Sequence, residues 1–207
     1  MIPSSPFLCV ITDEALSPVY LAEEALKGGA AMIQLRHKSA SGKQLFLWAV
    51  EIRKLCRHYQ ALFIINDRVD IAMASESDGV HLGQQDLPIG AARKLLGKKS
   101  IIGISASSPE DAVRAEKEGA DYIGFGHIFP TFSKIKESPP LGPEMLKKAA
   151  TLVSLPIIAI GGISIDNAPL LISNGASGVA VLSAVSKAER PSLAAYELVS
   201  ALNRQYS

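Results

Sequence analysis

The sequence predicts an α/β protein folded as one (β/α)8 barrel, a TIM barrel, over residues 1–207. Eight short apolar runs recur along the 207 residues, and the segments between them carry the apolar spacing of amphipathic helices. The runs are apolar nearly throughout, which is typical of parallel strands covered by helices. A Gly-Ala pair precedes a strand in "KGGAAMIQL", "KEGADYIGF" and "SNGASGVAV", which indicates a repeated βα unit.

The predicted strands leave room for one helix after each of them. They are residues 7–11, 32–36, 62–66, 79–83, 101–105, 122–128, 156–162 and 178–183. Residues 41–59 carry a clear helical pattern, and a second helix is predicted to follow Ser108, a suitable N-cap that precedes Pro109. An open doubly wound sheet is the alternative architecture. It is less favoured because the first βα turn, "CVITDEALSP", has no glycine-rich dinucleotide loop.

The composition excludes several classes of function. With 21 basic and 20 acidic residues the net charge is +1, so we expect no nucleic-acid partner and no anionic membrane partner. No apolar run approaches the roughly 20 residues of a membrane helix, and the N-terminus does not resemble a secretion signal. Cys9 and Cys56 have no CxxC spacing and indicate buried thiols in a reducing cytoplasm. The sequence is compatible with a homo-oligomer but does not set the oligomeric state.

Polar residues follow nearly every predicted strand, at the end where barrels of this kind place their active sites. They are Gln34, Arg36 and Lys38 after the second strand, Asn66 and Asp67 after the third, Asp86 after the fourth and Ser105 in the fifth. Strand alternation places Gln34, Arg36 and Lys38 on one side. The asymmetry between the two ends of the strands predicts a functional site.

One predicted anion site follows the seventh and eighth strands. The segments "IGGI" and "VLSA" occupy the usual phosphate position of this fold, where backbone N–H groups are available. We expect Gly162 to be required there because a phosphate must approach its backbone. The alternative is that Gly161 and Gly162 only form a tight turn between strand and helix.

A second predicted anion site mixes cations with carboxylates. Arg36, Lys38 and Lys134 face Asp67 and Asp86 from neighbouring strand ends, a combination that suits a polyphosphate with Mg²⁺. Taken singly, Asp67 could cap the following helix and Asp86 could be a turn residue. Taken together on adjacent strand ends, they favour Mg²⁺. The four histidines have no spacing that would predict a transition-metal site.

These motifs resemble those of the thiamine-phosphate synthase family, also called thiamine-phosphate pyrophosphorylases. The matching segments run in order from about residue 8 to 186 and are "QLRHK", "INDRVDIA", "GVHLGQQDLP", "GADYIG", "FPTFSK", "PPLG", "AIGGI" and "GVAVLSAV". The resemblance implies a (β/α)8 transferase that joins 4-amino-2-methyl-5-hydroxymethylpyrimidine diphosphate to a thiazole phosphate. It further implies dissociative loss of pyrophosphate and attack by the thiazole nitrogen.

The resemblance also implies roles for individual residues. The pyrimidine diphosphate would contact Gln34, Leu35, Arg36, His37, Lys38, Asn66, Ser105 and Lys134. The thiazole phosphate would contact Thr131, Phe132, Ser133, Gly162, Leu182 and Ser183. Asp67 and Asp86 would bind Mg²⁺. Arg36, Lys38 and Lys134 would be the catalytic cations that stabilise the departing pyrophosphate.

One position departs from the family pattern. The sixth strand runs into "GHIFPT", where the family commonly has Gly-Pro or Gly-Ala, and the Gly-His pair is similar to that of the sister thiazole tautomerases. In that family the histidine is catalytic, so an isomerase using His127 is an alternative function. The complete diphosphate-handling set favours the synthase. A non-catalytic regulator is a further alternative, but no helix with a basic, DNA-reading face is visible.

Overall fold

Eight parallel strands close into a barrel in a computed structural model of the chain. The structure describes residues 1–3, 6–131 and 139–204. The strands are β1 (Phe7–Ile11), β2 (Met32–Leu35), β3 (Leu62–Asn66), β4 (Gly79–Leu82), β5 (Ile101–Ala106), β6 (Tyr122–Gly126), β7 (Ile157–Ile160) and β8 (Gly178–Val181). Each strand pairs with the next, and β8 pairs with β1. The predicted (β/α)8 barrel is confirmed, and the open-sheet alternative is wrong.

Helices surround the barrel and connect its strands. They are α1 (Pro18–Lys27), α2 (Gly42–His58), α3 (Val69–Ala74), α4 (Ile89–Leu96), α5 (Pro109–Lys117), α6 (Gly142–Leu152), α7 (Ala168–Ser173), α8 (Ser183–Ser186) and α9 (Pro191–Asn203). The predicted N-cap of α5 is confirmed, since the Ser108 hydroxyl accepts a hydrogen bond from the Asp111 N–H at 3.0 Å. Across the described residues, no helix combines the length and the apolar character needed to span a membrane.

The core has two apolar layers because successive side chains of a strand point to opposite sides. In β1, Leu8 and Val10 belong to the layer between strands and helices, whereas Phe7, Cys9 and Ile11 belong to the layer inside the barrel. Both faces of the strand are therefore buried. This explains why the strand sequences are apolar throughout rather than alternating with polar residues.

The three Gly-Ala pairs have the local geometry that their repetition predicts. Gly29, Gly119 and Gly175 have φ angles of +89°, +88° and +93°, each between the end of a helix and the following strand. An L-amino acid with a side chain rarely adopts this conformation, so glycine ends the helix and redirects the chain. The repeated turns return the chain to the amino-terminal side of the barrel and leave its carboxyl-terminal side for longer loops.

Candidate active site

A cavity of about 220 Å³ opens at the carboxyl-terminal ends of the strands. Its apolar lining comes from inward-facing side chains of the barrel, including Cys9, Ile11, Ile158, Ile160 and Ala180. Most of the predicted site residues line it as well: Gln34, Arg36, Asn66, Ser105, His127, Thr131, Gly162, Leu182 and Ser183. The fold thus gathers residues from all parts of the sequence around one half-enclosed, largely apolar space.

A charged cluster of Lys38, Asp67 and Asp86 lies beside this cavity, at the ends of β2, β3 and β4. The Lys38 ammonium forms a salt bridge with the Asp67 carboxylate. The Asp67 and Asp86 carboxyl groups are close enough to share a proton, and each shifts the pKa of the other. Asp86 further accepts a hydrogen bond from the Gly83 N–H at 2.6 Å, so it is a turn residue as well as a member of the cluster.

Asp67 occupies an unusual backbone conformation. Its φ angle is +62°, in the left-handed region, and the Arg68 N–H donates to the Asn66 carbonyl at 2.7 Å across it. The Asp67 N–H donates to the carbonyl of His81 in β4 at 2.8 Å. Its carboxylate does not cap α3, whose N-cap is Arg68. The helix-cap alternative is therefore wrong, and a strained residue at a strand end is typical of functional sites.

The two carboxylates of the charged cluster differ in their affinity for protons. Burial and the neighbouring Asp67 carboxylate raise the pKa of Asp86, although the Gly83 N–H and the Lys38 charge oppose that shift. Burial also disfavours ionised Asp67, but hydrogen bonds from Lys38 and Asp86 and the Lys38 charge lower its pKa overall. A proton taken up by the pair therefore binds preferentially to Asp86.

This donor set fits Mg²⁺ better than it fits a metal held by the protein alone. Mg²⁺ is commonly bound by one or two carboxylates together with the phosphates of a substrate. Two adjacent carboxylates are what the charged cluster offers. In the described parts of the chain, no three histidine, cysteine or acidic side chains are grouped so as to hold a metal ion.

A polar network inside the barrel supports Ser105. His81 Nδ1 lies 3.0 Å from the Tyr122 hydroxyl, and His81 Nε2 lies 3.0 Å from the Ser105 hydroxyl. Burial lowers the pKa of His81 to about 4, so its ring is neutral near pH 7 and can accept at one nitrogen and donate at the other. Sequence reasoning missed His81 and Tyr122. The available signal was a polar side chain at an inward-facing position of a strand.

The opposite side of the cavity is formed by the turn after β7 and the start of α8. Gly161 and Gly162 have φ angles of +99° and +66°. A Cβ atom on Gly162 would lie 2.4 Å from the Pro130 carbonyl oxygen and 2.7 Å from the Phe129 Cβ, so the residues that follow β6 fill the space beside it. The two glycines therefore form a tight turn, and both also line the cavity. A methyl group on Gly162 would first meet the Pro130 carbonyl, so the expected approach of a phosphate to the Gly162 backbone stays a prediction.

Some predicted residues lie elsewhere. The Leu35 side chain is buried in the layer between barrel and helices, so only its backbone could contact a ligand. His37 packs on Trp48 with ring centroids 5.0 Å apart and does not line the cavity. Phe132, Ser133 and Lys134 lie outside the described residues.

Comparison with known proteins gives the family. The model of the family described as thiamine monophosphate synthase matches residues 8–185. A thiamine-phosphate synthase of Chlorobium limicola is 63% identical over 204 residues, which cover 99% of this chain and 97% of the relative. The chain belongs to the thiamine monophosphate synthase family.

Two further comparisons agree. A family member from Methanospirillum hungatei, a thiamine-phosphate synthase, is 50% identical over 182 residues, covering 86% of this chain and 88% of the relative. The solved structure of a thiamine phosphate pyrophosphorylase from Pyrococcus furiosus has a TM-score of 0.92 and 42% identity, covering 99% and 98% of the two chains. The predicted family and the predicted transferase class are confirmed, and neither the tautomerase nor the regulator is favoured.

Proposed function

We propose that the chain joins 4-amino-2-methyl-5-hydroxymethylpyrimidine diphosphate to a thiazole phosphate, giving thiamine phosphate and pyrophosphate. One observation carries the proposal. The charged cluster and the Gly161–Gly162 turn lie on opposite sides of the cavity mouth, since β3 and β7 are four strands apart in an eight-stranded barrel. Two phosphorylated substrates would then meet across the apolar space between the two anion sites.

The diphosphate belongs on the side of the charged cluster. Arg36 lines the cavity and Lys38 adjoins it, so both would stabilise negative charge that accumulates on the leaving pyrophosphate. Asn66 and Ser105 line the same side of the cavity and would hydrogen-bond the pyrimidine ring, with the His81 network orienting the Ser105 hydroxyl. Lys134 is proposed as a further cation from the sequence motif.

We propose that Asp67 and Asp86 hold Mg²⁺ together with the diphosphate. When bound, the ion supplies Lewis-acid stabilisation of the leaving group. The salt bridge between Lys38 and Asp67 would then loosen, because the carboxylate would have a divalent partner, and the Lys38 ammonium would turn to the phosphate oxygens.

The thiazole phosphate belongs on the other side of the cavity. We propose that backbone N–H groups of the Gly161–Gly162 turn and of the start of α8 would donate to this phosphate, together with the Ser183 and Thr131 hydroxyls, since these residues line the cavity. The Asn167 side chain donates to the Gly162 carbonyl at 3.0 Å and accepts from the Ser164 N–H at 2.9 Å, which fixes this turn.

The reaction needs no protein nucleophile. As the bond from the exocyclic carbon to the diphosphate oxygen breaks, aminopyrimidine electrons stabilise the resulting cation, and the thiazole nitrogen bonds to that carbon. Cys9 lines the cavity, but burial raises the pKa of its thiol to about 12, so it stays protonated. The apolar lining holds the rings in contact and excludes water that would quench the cation.

We also propose a cytoplasmic enzyme with small phosphorylated molecules as its partners. Both Cys9 and Cys56 are buried thiols without a disulfide, which suits a reducing compartment.

One assay tests the proposed function. Purified protein is incubated with both substrates and Mg²⁺, with and without a chelator, and thiamine phosphate and pyrophosphate are quantified. We expect equal amounts of the two products, formed only when Mg²⁺ is available. A protein that instead isomerises the thiazole carboxylate phosphate and forms no thiamine phosphate would contradict the proposal.

A further inference from the structure

Three consecutive residues after β1, Thr12, Asp13 and Glu14, contact both sides of the cavity mouth. None of the three lines the cavity among the described residues. Their side chains bond to other parts of the chain instead. β1 lies between β2 and β8 in the barrel, so this segment separates the two anion sites.

Thr12 and Glu14 hold the segment that follows β2. The Thr12 hydroxyl accepts a hydrogen bond from the Arg36 N–H at 2.9 Å and donates to the Arg36 carbonyl at 3.0 Å. The Glu14 carboxylate accepts from the Lys38 N–H at 2.9 Å, and this hydrogen bond is the main reason that the pKa of Glu14 is lowered. Thr12 is fully buried. The backbone of Arg36 and Lys38 is therefore held in place by two residues that directly follow β1.

Asp13 holds the opposite segment. The Ser186 hydroxyl donates to Asp13 Oδ2 at 2.6 Å, and the Ala15 N–H donates to Asp13 Oδ1 at 2.9 Å. Asp13 and Ser186 are 7% and 4% exposed, so losing either partner would leave a buried polar group unsatisfied. Ser186 ends the short helix α8, which begins at Ser183 in the cavity lining.

We propose that Thr12, Asp13 and Glu14, here called the β1 brace, are positioning residues that set the separation of the two anion sites. The Thr12 and Glu14 side chains bond to the segment after β2, and the Asp13 side chain bonds to α8. The inference rests on the proposed function, in which residues 36–38 bind the diphosphate and α8 binds the thiazole phosphate. A misplacement of about 1 Å can cost on the order of 10²-fold in rate when two reactants must meet in line.

Removing the hydrogen bonds of the β1 brace to the segment after β2 should have a different effect from removing its hydrogen bond to α8. Thr12→Val keeps the shape of the side chain but removes the hydroxyl, so KM for the pyrimidine diphosphate should rise on the order of tenfold while KM for the thiazole phosphate changes little. Ser186→Ala removes the bond to Asp13 and should raise KM for the thiazole phosphate selectively. Thr12→Ser retains the hydroxyl and should keep the wild-type KM values for both substrates.

The test combines steady-state kinetics with calorimetric titration of pyrophosphate and of thiazole phosphate into the wild type and each variant. Ser75→Ala is the matched control, because the Ser75 hydroxyl is also buried but bonds the Ile71 carbonyl at the end of α3. It should lower the melting temperature without changing either affinity. Asp13→Ala combined with Ser186→Ala should cost less than the sum of the single changes, since both remove one bond.

The outcomes separate this inference from the proposed function. Thr12→Val and Ser186→Ala variants that lose stability but weaken both ligands equally, or neither, would overturn the β1 brace even when the wild type makes thiamine phosphate. A wild type that makes no thiamine phosphate contradicts the proposed function. In that case the titrations still test whether the β1 brace positions the two anion sites, because pyrophosphate binding requires no turnover.

Discussion

Asp67 links backbone geometry to chemistry at the scale of a single residue. Its left-handed turn after β3 places the carboxylate against Lys38 and Asp86. Aspartate and asparagine tolerate this conformation better than most residues. Asparagine at this position therefore removes the charge with little backbone cost, whereas alanine would add strain to the loss of charge.

Asp67→Asn and Asp86→Asn should each lower Mg²⁺-dependent turnover on the order of 10²- to 10³-fold, because the leaving pyrophosphate loses a charge partner. The melting temperature should change little, since both groups lie at the cavity mouth. Initial rates of thiamine phosphate formation across a Mg²⁺ titration provide the measurement. Asp70→Asn, which removes an exposed α3 carboxylate paired with Arg68, is the control and should keep wild-type rates. Near-normal turnover in either mouth variant would leave that aspartate a turn residue only.

The losses of activity caused by His127→Ala and by Lys134→Ala should rank in opposite order for a synthase and for a tautomerase. In a synthase, Lys134→Ala should lower turnover on the order of 10²- to 10³-fold, while His127→Ala should cause a modest loss through packing, because His127 is buried in the cavity wall. In a tautomerase, His127 would move the proton, and its removal should cost on the order of 10²- to 10⁴-fold. Both variants are measured in both assays. A larger loss from His127→Ala in thiamine phosphate formation would contradict the assignment of His127 as a wall residue.

His81 predicts a specific pH dependence of stability. Burial lowers its pKa from 6.5 to about 4, while the Asp67 charge opposes that shift, and its ring faces Tyr122 and Ser105. Between about pH 6.5 and 4 the unfolded chain therefore binds a proton that the native protein does not, so the free energy of unfolding falls as the pH is lowered through this window.

The comparison with His81→Gln isolates this contribution from that of the carboxylates. Urea unfolding at pH 7 and pH 5 should show a larger loss of stability for the wild type than for His81→Gln. His58→Gln, which removes an exposed histidine at the end of α2, should behave like the wild type. Equal losses in all three proteins would mean that His81 is protonated in the native state.

At the scale of the element, the strands were predictable because each is apolar and bounded by turn residues. The bounds of β1 and β3 agree with the prediction, and the others differ by at most two residues at either end. The cap of α5 was also predictable, since it depends on residues adjacent in sequence. The contacts of the β1 brace were not predictable from the sequence, because Asp13 and Ser186 lie 173 positions apart and no local pattern pairs them.

Gly162 shows how the turn after β7 depends on a second element. Its φ of +66° and the closeness of the Pro130 carbonyl and of Phe129 leave no room for a side chain. Gly162→Ala should therefore lower the free energy of unfolding by about 1–3 kcal/mol. It should also weaken the binding of both substrates, because it displaces the residues that follow β6. Chemical denaturation checks the stability. An unchanged stability with a selective loss of thiazole phosphate binding would instead support a direct phosphate contact.

At the scale of the whole molecule, barrel closure decides which predicted residues meet. The same alternation that places Gln34 in the cavity places Leu35 among the helices, so family resemblance alone assigned Leu35 a contact that its side chain does not make. His81 and Tyr122 could have been found by this alternation, because each is a polar side chain on an inward face. The pairing of Asp67 with Asp86 required the register of β3 against β4.

The most direct test of the two-site cavity is the KM for each substrate in Lys38→Ala and Ser183→Ala. We expect Lys38→Ala to raise KM for the pyrimidine diphosphate on the order of tenfold or more and to leave KM for the thiazole phosphate within about twofold. Ser183→Ala should do the reverse, because a lost hydrogen bond to a charged group costs about 1.5–3 kcal/mol. Equal losses for both substrates in either variant would contradict the division of the cavity mouth into two anion sites.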